Sequence, residues 1–520
     1  MDRISDPRNE PSKVTPHDWE TNMEPAEKVG TDVARGDLIE LDSADAVLAA
    51  KMHLLNEAIN EIGWTTYHLK LFFLNGFGFA VDSLLTFIIG VVKGQVALEM
   101  QPSYNGGAQM ALYVGLLFGA LFWGLSADMI GRKWAFNLSL LTAAIFSIAA
   151  GASPNYPALA TFVSLAAFGA GGNLVLDTTV FLEFLPSFKQ YLVVTMALWW
   201  GVGQTIAGLL AWAFMTNFSC ASADDCPMAD NMGWRYLYYT SGAFVLVLSI
   251  LRIVVLRFRE TPKYLLCSGQ DEAVISLLTE VATKYDRPCS LTLEHLQHCG
   301  SITTAHASSR YSLHEIFLHY RGLFATRKLS ISTSLLWASW ACIGLAYPLY
   351  YMFLPEYLAS RGAKFGEDSP SITWRNYALT NFAAIFGPIF AGYISTFRIV
   401  GRKYTMVIGA LMTMAFFFGY TAIRNNDQNI GLSCAVSFTI NVYFSVLYAY
   451  TPEVLPSAHR ATGNGTAVSC ARVGGIMAVV IGTFADTSSP EPIYICAALF
   501  IVMAILIGVA PYEPQHGQSI

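Results

Sequence analysis

Asp82, Asp177 and Arg472 stand inside long apolar runs, where an ionisable side chain costs several kcal/mol unless it is paired or wetted. Their chemistry follows from that position. A carboxyl held out of water takes up or releases a proton as a nearby cation leaves or returns. A guanidinium is a permanent positive fork that grips a carboxylate through two parallel hydrogen bonds. Asp82 shares a helical stripe with Asn75, Gly78 and Thr86. Such a polar face belongs on a cavity; the plainer alternative is a packing hydrogen bond made by the protonated acid. Asp177 follows Asn173 by one helical turn in "GAGGNLVLDTTVFLEFLP", whose glycines allow close helix approach. It reads either as a proton carrier or as a structural charge. Glu183, in the same stretch, is turned about 120° away from Asp177 at 3.6 residues per turn and is assigned to the cytosolic edge. Arg472 sits ~12 Å into its run at 1.5 Å per residue, a depth comparable with that of Asp177. Two roles stay open for it: binding an anion, or neutralising Asp177 as the inner side closes.

Weaker polar and aromatic candidates accompany these. Gln204 lies on one face with Trp200 and Gly208, and Tyr347 and Tyr351 lie on one face with Trp340 and Gly344. Asn381 and Asn441 are lone amides in apolar runs. Aromatic stripes in membrane helices pack more often than they bind.

Composition supplies the frame that must hold these groups. Of 520 residues, 54% are hydrophobic and only 13% charged. A soluble chain carries about a quarter charged residues, so most of this one belongs in lipid. The net charge of -6 suggests no nucleic-acid partner, and the nine cysteines show no CxxC spacing. The start of the chain lacks a basic and then apolar leader, which predicts a cytosolic tail over 1–66 with no signal peptide. Near its end, "AVLAAKMHLLNEAINEIGW" predicts an amphipathic helix lying on the membrane surface.

A bilayer core of ~30 Å needs about 20 apolar helical residues. By that rule the spans fall near 69–92, 106–127, 133–152, 157–184, 190–216, 234–256, 329–353, 373–397, 404–422, 430–450, 464–485 and 491–510. The expectation is an all-α membrane protein of twelve transmembrane helices in two six-helix halves, 67–256 and 329–510. A cytosolic central loop, 257–328, joins them, and a short cytosolic tail, 511–520, ends the chain. Lys and Arg gather in the loops of one face, among them Arg132, Lys133, Arg252, Arg257, Arg402 and Lys403, which places both termini inside. "GRK" recurs at Gly131 and Gly401, and E-x-L-P-S at Glu183 and Glu453, both pairs separated by the same interval. A repeated half is what alternating access requires, since one half rocks against the other around a midplane site.

The motifs carry a family resemblance. "GLSADMIGRK" resembles the loop signature of the major facilitator superfamily, and "GYISTFRIVGRK" its degenerate second copy. "RETPKYLL" is similar to the sugar-porter signature after span six, and "YTPEVLPSAHRATGNG" to the acidic motif between spans ten and eleven. The chain thus resembles the fungal sugar-porter-like and organic-ion-transporter-like branch related to synaptic vesicle glycoprotein 2. "SCARVGGI", around Arg472, resembles the eleventh span of organic anion transporters, where the arginine is implicated in anion binding. Departures are plain: Leu165 stands where the family has a basic residue in span four, the second loop copy lacks the acid matching Asp128, and the antiporter Gly-Pro signature is missing from span five. The resemblance implies a cytosolic gate of interdomain ion pairs drawn from Asp128, Arg132, Glu183, Arg402, Glu453 and Arg460.

The outer loop after span five carries Asn217 in an N-x-S sequon and the pair Cys220 and Cys226, a candidate glycosylation site and a candidate disulfide. No nucleotide-binding loop, catalytic triad or metal-ligand cluster is present, so neither enzyme nor ATP-driven pump is indicated, and no cofactor or metal is implied. The expected function is secondary active transport of a small organic solute, a carboxylate or other organic anion, coupled to protons and carried out by a monomer in the plasma membrane. The alternatives are a secondary-metabolite exporter, a sugar or polyol porter, and a non-transporting membrane sensor.

Overall fold

The computed structural model describes residues 46–220, 226–256, 260–300, 313–360, 370–397, 399–420, 422–456, 459–484 and 491–513. Among them every regular element is helical. The chain begins with α1 (Ala46–Ile62), then α2 (Thr66–Met100), α3 (Gly107–Ile130), α4 (Arg132–Gly151) and α5 (Tyr156–Phe184). A short α6 (Tyr191–Met196) leads into α7 (Leu198–Met215), and α8 (Gly233–Leu256) closes the first set. Four short helices follow: α9 (Pro262–Cys267), α10 (Asp271–Lys284), α11 (Leu293–His298) and α12 (Leu313–Gly322). The second set is α13 (Arg327–Ser360), α14 (Pro370–Ala384), α15 (Phe386–Ile394), α16 (Gly401–Tyr420), α17 (Asn426–Val454), α18 (Arg460–Phe484) and α19 (Glu491–Val509).

Ten stretches among the described residues are long and apolar enough to cross a bilayer. Neither α16 nor α19 is among the ten, and the described apolar part of α19, Ile493–Val509, falls short in length. Large apolar side chains point outward all round, including Phe118, Phe122, Ile145, Val254, Tyr393 and Ile505. A surface of that kind is a lipid surface, and the protein is a multi-pass integral membrane protein.

The start of each long helix shows how the sequence sets it. Asn155 caps α5 by accepting from the Ala158 N–H at 3.0 Å, and Asn425 caps α17 by accepting from the Gln428 N–H at 2.9 Å. These two asparagines are separated by the same interval as the two GRK motifs. At α2, the Thr65 N–H donates to Nδ1 of His68 at 3.1 Å. That fixes the tautomer: His68 Nε2 donates to the Phe184 carbonyl at 2.9 Å and ties the start of α2 to the end of α5.

Helix α1 does not lie free on a membrane surface as its pattern suggested. Its apolar stripe, Met52, Leu55, Ala58, Ile59 and Ile62, is buried within the protein. Helices α9 and α10 cover it, Lys51 pairs with Asp271 at 2.5 Å, and Asn60 accepts from the Ser187 N–H at 2.8 Å. An amphipathic period states only that one face needs cover; here protein supplies it.

The two sets meet along two seams. In one, α3 packs on α18, where Gly124 and Gly465 touch so closely that a Cβ on either would lie 3.2 Å from the Cα of the other. In the other, α7 packs on α14, and Trp212 Nε1 donates to Ser371 Oγ at 2.9 Å. On the face that bears the central helices, α12 reaches the second set through Tyr320 and Thr466, whose hydroxyls are 3.0 Å apart.

Candidate functional site

Asp82, from α2, and Arg472, from α18, come together between the two sets: Oδ2 of Asp82 lies 3.6 Å from Nη2 of Arg472. The carboxyl is fully buried, and among the described residues neither of its oxygens accepts a hydrogen bond. Nε and Nη2 of Arg472 likewise donate none. At an effective dielectric of about 20, the attraction of charges this close is of order 4 kcal/mol. Burial takes back a similar amount when no hydrogen bonds assist. The contact is therefore balanced and easily parted.

Aromatic rings from both sets line the same region. Tyr448 of α17 packs edge-on against Trp340 of α13 at 4.6 Å and against Phe79 of α2 at 5.9 Å. Phe444 stacks on Tyr448 at 5.7 Å and on Trp200 of α7 at 6.4 Å. Gln204 of α7 donates to the Tyr347 hydroxyl of α13 at 2.9 Å, a second polar link across the sets. Aromatic and amide contacts thus join α2, α7, α13 and α17 across the sets, and Tyr448 stands within electrostatic reach of both Asp82 and Arg472.

Asp177 does not meet Arg472. Its Oδ1 accepts from Nη2 of Arg252, in α8, at 2.6 Å. Arg252 also donates to the carbonyls of Phe136 at 3.2 Å and Leu74 at 3.3 Å, and its guanidinium lies 3.6 Å above the Phe136 ring. Gly78 makes the room: a Cβ there would stand 1.6 Å from Oδ2 of Asp177. Sequence reasoning counted Arg252 among the basic loop residues, although "SILRIVVL" embeds it about one turn inside an apolar run. That flanking was the available signal. Of the two roles left open for Arg472, neutralising Asp177 is not the pairing found here, because α8 and not α18 is the helix that brings a base to Asp177.

The remaining candidates separate in the same way. Asn75 is buried with both amide atoms unpartnered among the described residues, and Asn173 accepts from Ser139 Oγ at 2.9 Å. Asn381 and Asn441 donate to carbonyls one turn back on their own helices, at 2.9 and 2.8 Å. The side chains of Tyr351 and Asp128 lie outside the described residues.

At the central-loop face, Arg132 of α4 pairs with Glu183 of α5 at 3.2 Å, and Arg402 of α16 pairs with Glu453 of α17. Both pairs join helices of the same set, so they brace each set internally where interdomain pairing was expected. Each arginine lies in the first turn of its helix, and a second acid, from further along the chain, caps the start of that helix. Glu260 accepts from the Arg132 N–H at 2.7 Å and the Lys133 N–H at 3.3 Å. Glu513 accepts from the Arg402 N–H at 3.0 Å and the Lys403 N–H at 3.3 Å. Gly131, just before α4, and Gly401, the first residue of α16, have φ of +104° and +57°, positive values that glycine takes without strain. Burial raises the Glu260 carboxyl above its ordinary value, against the pull of Arg132 and the helix N–H groups; burial raises Glu513 too. Arg460 is fully buried at the start of α18.

At the opposite face Cys220 and Cys226 are disulfide-bonded. Asn217 is exposed, its amide donating to the Ala213 carbonyl at 3.1 Å. The sequence reading missed a cluster there: Glu99, at the end of α2, accepts both Arg235 Nη groups at 2.9 and 2.7 Å, together with Trp234 and Asn231.

The family profile described as "Sugar (and other) transporter" matches residues 64–512. The chain is 40% identical over 494 residues to the MFS siderochrome iron transporter 1 of Ceriporiopsis subvermispora, covering 93% of this chain and 94% of that one. It is 38% identical to the major facilitator-type transporter hxnZ of Emericella nidulans, covering 90% of this chain and 88% of that one. Among solved structures, the xylose transporter XylE from E. coli, in a partially occluded inward open conformation, is similar at a TM-score of 0.61 and 15% identity, covering 88% of this chain and all of that one. The long apolar helices, the repeated GRK and E-x-L-P-S motifs and these matches agree: the chain belongs to the sugar (and other) transporter family of the major facilitator superfamily, whose members are membrane transporters of small molecules and not enzymes.

Proposed function

We propose that the chain is a proton-coupled secondary transporter that carries a small polar organic solute by alternating access. Twelve spanning helices would form two six-helix halves, 67–256 and 329–510, with the central loop and both termini in the cytosol and the protein in the plasma membrane. The observation that carries this reading is the Asp82–Arg472 contact, a buried acid and base from opposite sets held at 3.6 Å without hydrogen bonds. Rocking of the sets would part the pair, and the stranded carboxyl would take a proton. Asp82 is the proton carrier in this scheme. Asp177, fixed by Arg252 within one set, is scaffold.

For the solute, a sugar or polyol is the first choice. Arg472 has an acid partner, so the site as a whole is neutral and suits a neutral molecule. The family description and the xylose transporter similarity point the same way. An organic anion is the second reading, favoured by the unused N–H groups of Arg472: protonation of Asp82 would free the fork for a carboxylate. The relative named for siderochrome iron adds a third class, an iron chelate.

The test is uptake into a transport-null host and into proteoliposomes under an imposed pH gradient. The panel holds sugars, polyols, monocarboxylates and a ferric siderophore. Accumulation of one class that collapses with the gradient is expected. Flux of none, with no proton movement, would sink the proposal.

A further inference from the structure

We propose that Ser290 is a phosphorylation site whose occupancy loosens α1 from the central-loop helices. The proposal goes beyond transport and takes from that reading only that this face is cytosolic, where ATP is available. Ser290 lies in residues 287–292, an irregular stretch between α10 and α11, and is exposed. An exposed stretch without regular structure fits a kinase cleft. Arg287 stands three residues before it, the spacing that arginine-directed serine kinases read.

What distinguishes Ser290 is its partner. Oε2 of Glu61, at the end of α1, accepts from both the backbone N–H and the hydroxyl of Ser290, each at 2.7 Å. Kinase transfer would break the bond from Pγ of ATP to the β–γ bridging oxygen and the serine O–H bond, and form an Oγ–P bond, releasing ADP and a proton. Glu61 would then lose its hydroxyl donor and face a near-dianion. Glu57, one turn earlier on the exposed side of α1, adds to the repulsion. The Lys51–Asp271 pair and the buried apolar stripe would still hold the helix, so the expected change is loosening and not release of the whole segment. Because α1 also holds the turn that follows α5 through Asn60 and Ser187, a modification at one serine would reach the connection between two membrane helices.

The experiment uses the full-length protein in nanodiscs, an arginine-directed serine kinase and ATP, with phosphosite mapping and amide hydrogen exchange over residues 46–62. Phosphate on Ser290 and several-fold faster exchange over that segment are expected. Ser290→Ala should keep α1 docked and give no kinase response. Glu61→Lys should reverse the sign, since the phosphate would gain a cation and exchange would slow on phosphorylation. No phosphate on Ser290 in the intact protein overturns the proposal. So does phosphorylated wild type with unchanged exchange, or a Glu61→Lys variant that responds in the wild-type direction.

Discussion

Two buried carboxylate–guanidinium pairs occupy the middle of this molecule, both largely hidden from water and built quite differently. Asp177 and Arg252 belong to one set, touch at 2.6 Å, and are backed by two carbonyls and a ring. Asp82 and Arg472 belong to opposite sets, stand 3.6 Å apart, and have no hydrogen bond on any atom that faces the other. Burial alone therefore does not mark a working charge. In the proposed cycle, what would separate brace from moving part is whether the two partners ride on the same set of helices, and how many secondary contacts would resist their separation.

The comparison breaks first at Arg252. Arg252→Ala would leave Asp177 buried without its cation, at about 3–5 kcal/mol. Thermal unfolding of the purified variant should show a large loss of stability or of folded yield, and a wild-type transition would remove the brace. Gly78→Ala tests the same region more gently. Its methyl must displace Asp177 or shift α2, an overpacking penalty of about 1–3 kcal/mol, measured in the same assay. Asp82→Asn sharpens the contrast: it leaves Arg472 without its acid, and the loss of stability should stay below that of Arg252→Ala, because the Arg472 side chain is about a tenth exposed and gives up no hydrogen bond to Asp82. Yet it should abolish accumulation driven by a pH gradient while leaving substrate counterflow. Asp82→Asn vesicles that still concentrate solute against its gradient would take the proton away from this residue.

The helical frame was legible because each long apolar run announces itself, and the repeat was visible in GRK and E-x-L-P-S. The asparagine caps at 155 and 425 were equally available and passed unread. Partner choice was not legible. Arg472 and Asp177 lie at similar depths, and depth was the only coordinate the sequence offered; which helix stands beside which is decided by packing. Thus α8 brought Arg252 to Asp177, and α18 carried Arg472 to Asp82. Arg252 was hidden by the company of Arg257 and Arg259, which made its apolar flanks easy to count as loop. The stripe of α1 was read correctly as a period and wrongly as a lipid face, since periodicity says nothing about who covers it. Glu260 and Glu513 were invisible as caps because each is far in sequence from the helix whose first turn it caps.

The bare meeting of Gly124 with Gly465 has a kinetic consequence. No side chains interlock at that point, so parting there needs no rotamer change, while Tyr113 on Gly475 and the Ser469 hydroxyl on the Leu117 carbonyl join the same two helices elsewhere. In the proposed cycle the slow events would then be those in which charges are stripped of or returned to water. A branched side chain at position 124 would act as a wedge, holding the seam ajar and trading turnover for a single, permanently parted shape.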